Sequence, residues 1–466
     1  MDFSTSLFWI LLISSLPILC LGNLLLRTQH GLRRCFQQLY IVALSLTMLG
    51  ATGWETLLIF LSVTLLAYGV CKGAFSTSER CRKIILGGLI PLLLMPLLYY
   101  KYSRFLVCGI LHQEWNTLQD LVIPIGLSFY TFQTIAFCID TLLRGMPVPN
   151  LREYMVFCSF FPQIVAGPIE RRSDLLPQVQ GLNLRYSIRR INIGIRYVIL
   201  GLFFKVFMAD NLAQVFVPDY QGDDAWIVWA NNLLFSFRIY FDFAGYGLTA
   251  YGFARCFGIR LQMNFLSPYT ATHISDFWRR WHRSLTGWFR DYIYFPLGGS
   301  RTRLWALNML LVFTVSGLWH GAGWNFLIWG ALSGVALVLH RCWRRVLNMP
   351  AMPGIIGWGL TTMYMVLIWM FFYDTNMENL LHHCQTIFTP RCYGSPESAA
   401  PEVIKQTPCI IFLLCAALVV ALEWFSSRKG KNPYGVFLRD FPCTVMFCLM
   451  LLFAPSVPSQ FIYFVF

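Results

Sequence analysis

Long apolar stretches recur along this chain with too few charges between them for a water-soluble fold. Residues 304–339 contain no Asp, Glu, Lys or Arg. Comparable runs cover 6–26, 36–51, 54–71, 84–100, 121–140, 153–168, 194–217, 304–319, 324–340, 354–373, 408–425 and 441–455. A helix that crosses a bilayer needs roughly 20 predominantly apolar residues, so about a dozen such segments predict a polytopic helical membrane protein. Charged residues are 12% of the 466, where a soluble domain carries about a quarter. That excludes an ordinary soluble enzyme, a disordered chain and a nucleic-acid binder, despite a net charge of +14. The 40 Phe, 16 Trp and 21 Tyr suit a lipid bilayer with aromatic belts at its two interfaces.

The excess of Lys and Arg reads in two compatible ways. It follows the rule that basic loops stay in the cytoplasm, and it offers an anionic ligand a cationic face. Arg27, Arg33 and Arg34 follow the first apolar run. Lys72, Arg80, Arg82 and Lys83 follow the hairpin 36–71, and Arg428, Lys429 and Lys431 precede the last run. With these loops inside, both termini are expected outside. The first run lacks a basic n-region and a small-x-small cleavage site, so it reads as a retained span. Prolines 124 and 162, with Lys101 and Arg104, interrupt several runs. Such breaks predict re-entrant and amphipathic pieces, which bilayers tolerate only where protein or a water-filled cavity surrounds them. The 15 cysteines are scattered, with no C-x-x-C pair, and read as small apolar residues. His382, His383 and Cys384 are consecutive. Neighbours on a helix point apart, so no metal site is expected.

Three stretches carry polar residues suited to chemistry. In 276–301, Trp278, Trp281, Leu285 and Trp288 share one helical face and Arg279, His282, Arg283 and Arg290 another. This is either an interfacial helix with snorkelling arginines or the wall of a polar cavity, and ionisable groups at membrane depth favour the second. In 315–330, V-S-G-L-W-H-G-A-G-W-N-F-L-I-W-G, His320 is either a satisfied core residue or a neutral imidazole able to take a proton from a hydroxyl. Gly317, Gly321 and Gly323 would let backbone or ligand approach it. In 235–258, Asp242 sits among aromatics and needs a partner. Arg238, one turn earlier, is the expected one.

The segments P-I-G-L-S-F-Y-T-F-Q (124–133), F-F-P-Q-I-V-A-G-P-I (160–169), I-Y-F-D-F-A-G-Y (239–246), D-F-W-R-R-W-H-R-S-L-T-G-W-F-R-D-Y-I-Y-F-P-L-G-G (276–299) and L-W-H-G-A-G-W-N-F-L-I-W-G (318–330) together resemble the membrane-bound O-acyltransferases. The resemblance is to the bacterial branch that serves alginate O-acetylation and teichoic-acid D-alanylation. It implies an all-α polytopic fold: a single membrane domain over 1–466, with N-terminal spans (1–120), a core (121–345) and C-terminal spans (346–466). A ring of about 11–12 transmembrane helices would surround a central tunnel. It implies catalytic roles for His320 and His282; around them substrate binding is expected of Arg279, Arg283, Asp276, Trp319, Asn325 and Asp242, the last either in a structural ion pair or orienting a catalytic group. Acetyl-CoA is the implied donor, with no tightly bound cofactor and no metal. The implied partners are an extracytoplasmic SGNH-hydrolase-like transferase, a polysaccharide acceptor and, in the D-alanyl alternative, an acyl carrier protein, all at a bacterial cytoplasmic membrane. The closing residues F-I-Y-F-V-F (461–466) resemble a C-terminal motif of this branch. They make Tyr463 an acyl relay, or else anchor the chain at the interface. Without the resemblance, a transporter for a lipid-linked sugar would fit the same spans.

Overall fold

In lipid every backbone N–H and C=O must find its partner within the protein, and this chain satisfies them with helices. The computed structural model describes residues 3, 5–113, 121–165, 167–184, 186–394, 407–428, 431–457 and 459–462. Among the described residues there is no strand. Among these residues seven helices are long and apolar enough to cross a membrane: Ser6–Leu25, Trp54–Ala74, Glu79–Tyr102, Ile188–Val215, Trp324–Val346, Gly354–Tyr373 and Ile410–Ser427. Two more apolar helices, Trp305–His320 and Asp440–Phe453, are shorter. The chain is a multi-pass, all-α membrane protein.

Several expected spans take another form. Residues 153–168 do not form one helix, because Phe160 leaves the helical region and Pro162 starts a new turn. The result is a pair of short helices, Leu151–Ser159 and Phe161–Ile164. The run 121–140 becomes helix only from Leu127 to Leu142, past Pro124. The run broken by Lys101 continues instead through π-helical turns at Leu98–Tyr102 and Phe105–Ile110, after Pro91 and Pro96, a usual accommodation of proline. Conversely, the longest helix, Ala225–Cys256, was not expected as a span. Asn231, Asn232, Ser236 and Asp242 lower its hydropathy, and all four are buried. A helix surrounded by protein hides its polar groups inward, where a hydropathy average cannot recognise it.

The chain divides into two compact units. One comprises Met1–Val198 and Tyr246–Met263, the other Ile199–Gly245 and Asn264–Phe466. In the first, the polar stretch after Pro168 buries Glu170 and Arg172, while Asp174 and Arg189 stay exposed. The Arg172 guanidinium donates to Thr141 Oγ1 at 2.6 Å and lies 4.9 Å from the Phe137 ring centre. Glu170 accepts the Gln262 N–H at 2.6 Å, and burial pushes its carboxyl up to about 8.

In the second unit, helices Trp305–His320 and Trp324–Val346 pack along each other as a tight hairpin. A Cβ at Gly317 would lie 2.1 Å from the Phe326 carbonyl oxygen, and one at Gly330 2.4 Å from that of Phe313. Only glycine permits this approach, the small-residue packing that substitutes for a hydrophobic driving force within lipid. Trp305–His320 is about 24 Å long at 1.5 Å per residue, short of the roughly 30 Å hydrocarbon layer. Its last residue, His320, is only 3% exposed.

Candidate active site

His282 is placed by a break in what the side-chain pattern suggests is one helix. The segment is two short helices, Ile274–Arg280 and Arg283–Phe289, followed by the turn Arg290–Tyr294. His282 stands between them at φ 38° and ψ 54°, a left-handed conformation rare for a residue with a side chain. The neighbouring stretch absorbs the interrupted hydrogen bonds. Leu266 N–H donates to the Arg280 carbonyl at 3.0 Å, and Arg283 N–H to the Asn264 carbonyl at 2.9 Å. The His282 carbonyl then starts the second helix by accepting from Thr286 N–H at 3.0 Å. The single-helix expectation is therefore corrected: His282 does not share the arginine face. It is 2% exposed, whereas the Arg279 and Arg290 side chains are largely exposed.

The two imidazoles approach each other through tertiary folding. Their ring centres are 6.3 Å apart. His320 meets Trp329 and Phe372 edge-on at 5.2 and 5.4 Å, and His282 meets Phe243 at 4.7 Å. Trp319 touches both histidines, at 5.7 Å from His282 and 5.0 Å from His320. Both imidazoles line one cavity of about 250 Å³, together with Trp278, Arg279, Arg290, Tyr294 and Ser316. The cavity thus runs from exposed guanidiniums at one edge to buried imidazoles within. Burial pulls His282 down to about 3, so it is neutral at physiological pH.

The other expected site residues lie in varied positions. Asp276 is engaged by its own helix, 2.8 Å from Arg280 Nε and 3.6 Å from Arg279 Nη2. It orients these arginines. Arg283 is half-buried beyond the cavity lining. Asn325 donates to the Phe371 carbonyl at 3.1 Å and so fixes the helix that follows His320. Asp242 is paired with Lys205 at 2.7 Å, not with Arg238 as its spacing suggested. Arg238 lies 5.5 Å from the Phe216 ring centre. Tyr463 is outside the described residues. His382 and His383 diverge: the first is 3.4 Å from Asp223, while the second lies 3.1 Å from Asp374 and 2.8 Å from the Tyr220 carbonyl.

Sequence reasoning missed Trp329 and Phe372, which frame His320, and the pairing of Lys205 with Asp210 at 2.8 Å. The pairing had a signal, since these are the two charges in the otherwise apolar run 197–217. The aromatic frame had none, because tryptophans and phenylalanines occur throughout.

Residues 3–376 match the model of MBOAT, the membrane-bound O-acyltransferase family. The chain belongs to this family. It is 32% identical to the peptidoglycan O-acetyltransferase of Helicobacter pylori, over 99% of this chain and 97% of that protein. It is 32% identical to the probable alginate O-acetylase AlgI of Pseudomonas aeruginosa, over 81% of this chain and 74% of that one. With the teichoic acid D-alanyltransferase of Bacillus subtilis it shares 25% identity, over 74% and 89%. As a member of the family it is an acyltransferase, which sets the transporter reading aside.

Proposed function

We propose that this acyltransferase takes an acetyl group from acetyl-CoA on the cytoplasmic side and passes it outward for O-acetylation of a cell-envelope polysaccharide. The observation that carries the reading is the pair of buried imidazoles, 6.3 Å apart, on one cavity whose edge holds exposed arginines. The roles divide by chemistry. His320 is the general base: it takes the acceptor hydroxyl's proton as that oxygen attacks the thioester carbonyl, and returns it to the departing thiolate. An imidazole held near 3 is a poor base. His282 instead donates its N–H to the oxyanion, as a neutral imidazole can. Arg279 and Arg290 steady the donor's phosphates. Tyr463 is the first acceptor and hands the acetyl group to an SGNH-hydrolase-like transferase outside the cytoplasmic membrane, the side on which both termini lie. Peptidoglycan is the favoured polymer, because the relative named for it matches along nearly the whole of both chains.

The test uses purified protein with labelled acetyl-CoA, and cells assayed for O-acetyl esters on the envelope. His320→Ala is expected to lower transfer by about 10²–10⁴-fold, the usual range for a general base, with membrane levels maintained. Tyr463→Phe is expected to abolish the labelled protein adduct. Undiminished esters in the His320 variant remove it from the mechanism. A second reading, D-alanyl transfer from an acidic carrier protein, is favoured by the match to the B. subtilis relative. Label acquired from a D-alanyl carrier and not from acetyl-CoA would establish it instead.

A further inference from the structure

The same unit holds a second buried polar cluster, which does not line the histidine cavity. Lys205 is 4% exposed, Asp210 0% and Asp242 1%. Lys205 Nζ lies 2.8 Å from Asp210 and 2.7 Å from Asp242. All three side chains also grip one stretch of chain. Ser459 Oγ donates to Asp210 Oδ1 at 2.5 Å, Lys205 Nζ donates to the Ser459 carbonyl at 3.0 Å, and Ile462 N–H donates to Asp242 Oδ2 at 2.8 Å. On the same helix, Asn211 donates to the Phe453 carbonyl at 2.9 Å. Phe461, 1% exposed, lies 5.9 Å from the Phe243 ring, which is itself 4.7 Å from His282.

Buried ion pairs are poor sources of stability, since well-packed apolar side chains often serve as well. Their best-attested use is to fix one register among alternatives. Here the directed bonds converge on residues 459–462, one aromatic ring away from the imidazole pair. We propose that Lys205, Asp210 and Asp242 are positioning residues, a buried latch that fastens this segment beside the histidines, and that acyl transfer requires the segment to be latched. The proposal rests on the acyl-transfer reading above. It concerns no atom of the reacting groups, only where the segment is held.

The test combines hydrogen–deuterium exchange of the peptide covering 459–462 with acetyl-transfer kinetics on the full chain in lipid nanodiscs. The double variant Lys205→Met with Asp242→Leu keeps the formal charge of the cluster unchanged. In it, exchange across 459–462 is expected to rise at least tenfold and kcat to fall at least tenfold. KM for acetyl-CoA should stay within twofold and exchange across 305–320 should not change, which a general loss of structure would not produce. If that variant does not reach the membrane, Ser459→Ala removes a hydrogen bond without altering charge and should show both changes at about threefold. Unchanged exchange, or faster exchange with kcat within twofold, overturns the latch while wild-type transfer stands. A wild-type chain that transfers no acetyl group overturns the functional reading, and the dependence on the latch with it.

Discussion

His282 pays for its place twice: it holds a backbone conformation that costs on the order of 1–3 kcal/mol in a residue with a side chain, and its imidazole is buried. The second cost has a pH signature. The folded pKa is near 3 against an ordinary 6.5. Between these values the unfolded chain binds a proton that the folded chain refuses, so stability is full above pH 6.5 and is lost as pH falls towards 3. At pH 5 the loss is about 2 kcal/mol. Thermal unfolding of the wild type and of His282→Asn should therefore diverge between pH 7.5 and 5, with the wild type losing more. Parallel curves would show that the imidazole is not held neutral. Both histidines were legible as residues, because each sits in a distinctive run of aromatics and glycines. Their nearness was not, since 38 positions separate 282 from 320 and only tertiary folding joins them. Asp242 shows the converse. Spacing along one helix pointed to Arg238, but the cation that reaches it, Lys205, comes from a different helix.

At the scale of elements, the apolar runs predicted helices reliably where lipid or core surrounds them evenly, and failed where helices break. Nothing in D-F-W-R-R-W-H-R-S-L forbids a continuous helix. The break at Trp281–His282 exists because residues 264–266 supply the hydrogen bonds that a continuing helix would have made. The histidine hairpin was partly legible: Gly317 was read as a point of close approach, while its counterpart Gly330 was found only in the structure. That packing sets the position of His320, and in its proposed role as general base a displacement of about 1 Å would cost on the order of 10²-fold in rate. Gly317→Ala forces a Cβ against the Phe326 backbone, 2.1 Å away, and the helix must move to relieve it. Transfer should fall at least tenfold in protein that still reaches the membrane. Gly359→Ala, on helix Gly354–Tyr373, meets nothing within 4 Å and should leave transfer unchanged, as helical Gly→Ala changes in open space do. Equal effects of the two substitutions would sever the link between hairpin packing and catalysis.

At the scale of the molecule, part of the excess positive charge behind the net +14 gathers near the histidine cavity. Within the second unit, the guanidiniums of Arg279, Arg280 and Arg344 gather around His273. Burial first, then these guanidiniums, hold its imidazole below the ordinary range against the opposing pull of Asp276. His273 stacks on His340 at 4.8 Å. The next residue, Arg341, reaches Tyr294 Oη at 3.4 Å, and Tyr294 lines the histidine cavity beside Arg290. Arg279 and Arg290 at the cavity edge are thus joined, through Tyr294, by basic residues from a second stretch of sequence that lie just outside the lining. On the proposed acetyl-CoA reading such a basic rim faces the cytoplasm, as the positive-inside rule expects, and the donor's phosphates meet guanidiniums there. Rim charges bind donor and transition state alike, so removing them should weaken donor affinity without slowing the chemistry. Arg341→Gln with Arg344→Gln is expected to raise KM for acetyl-CoA about tenfold, with kcat within twofold. Raising salt from 50 to 500 mM should raise the wild-type KM more than that of the variant, because exposed charges are screened. An unaltered KM with a reduced kcat would remove the rim from donor binding and make it a support for the fold around Tyr294.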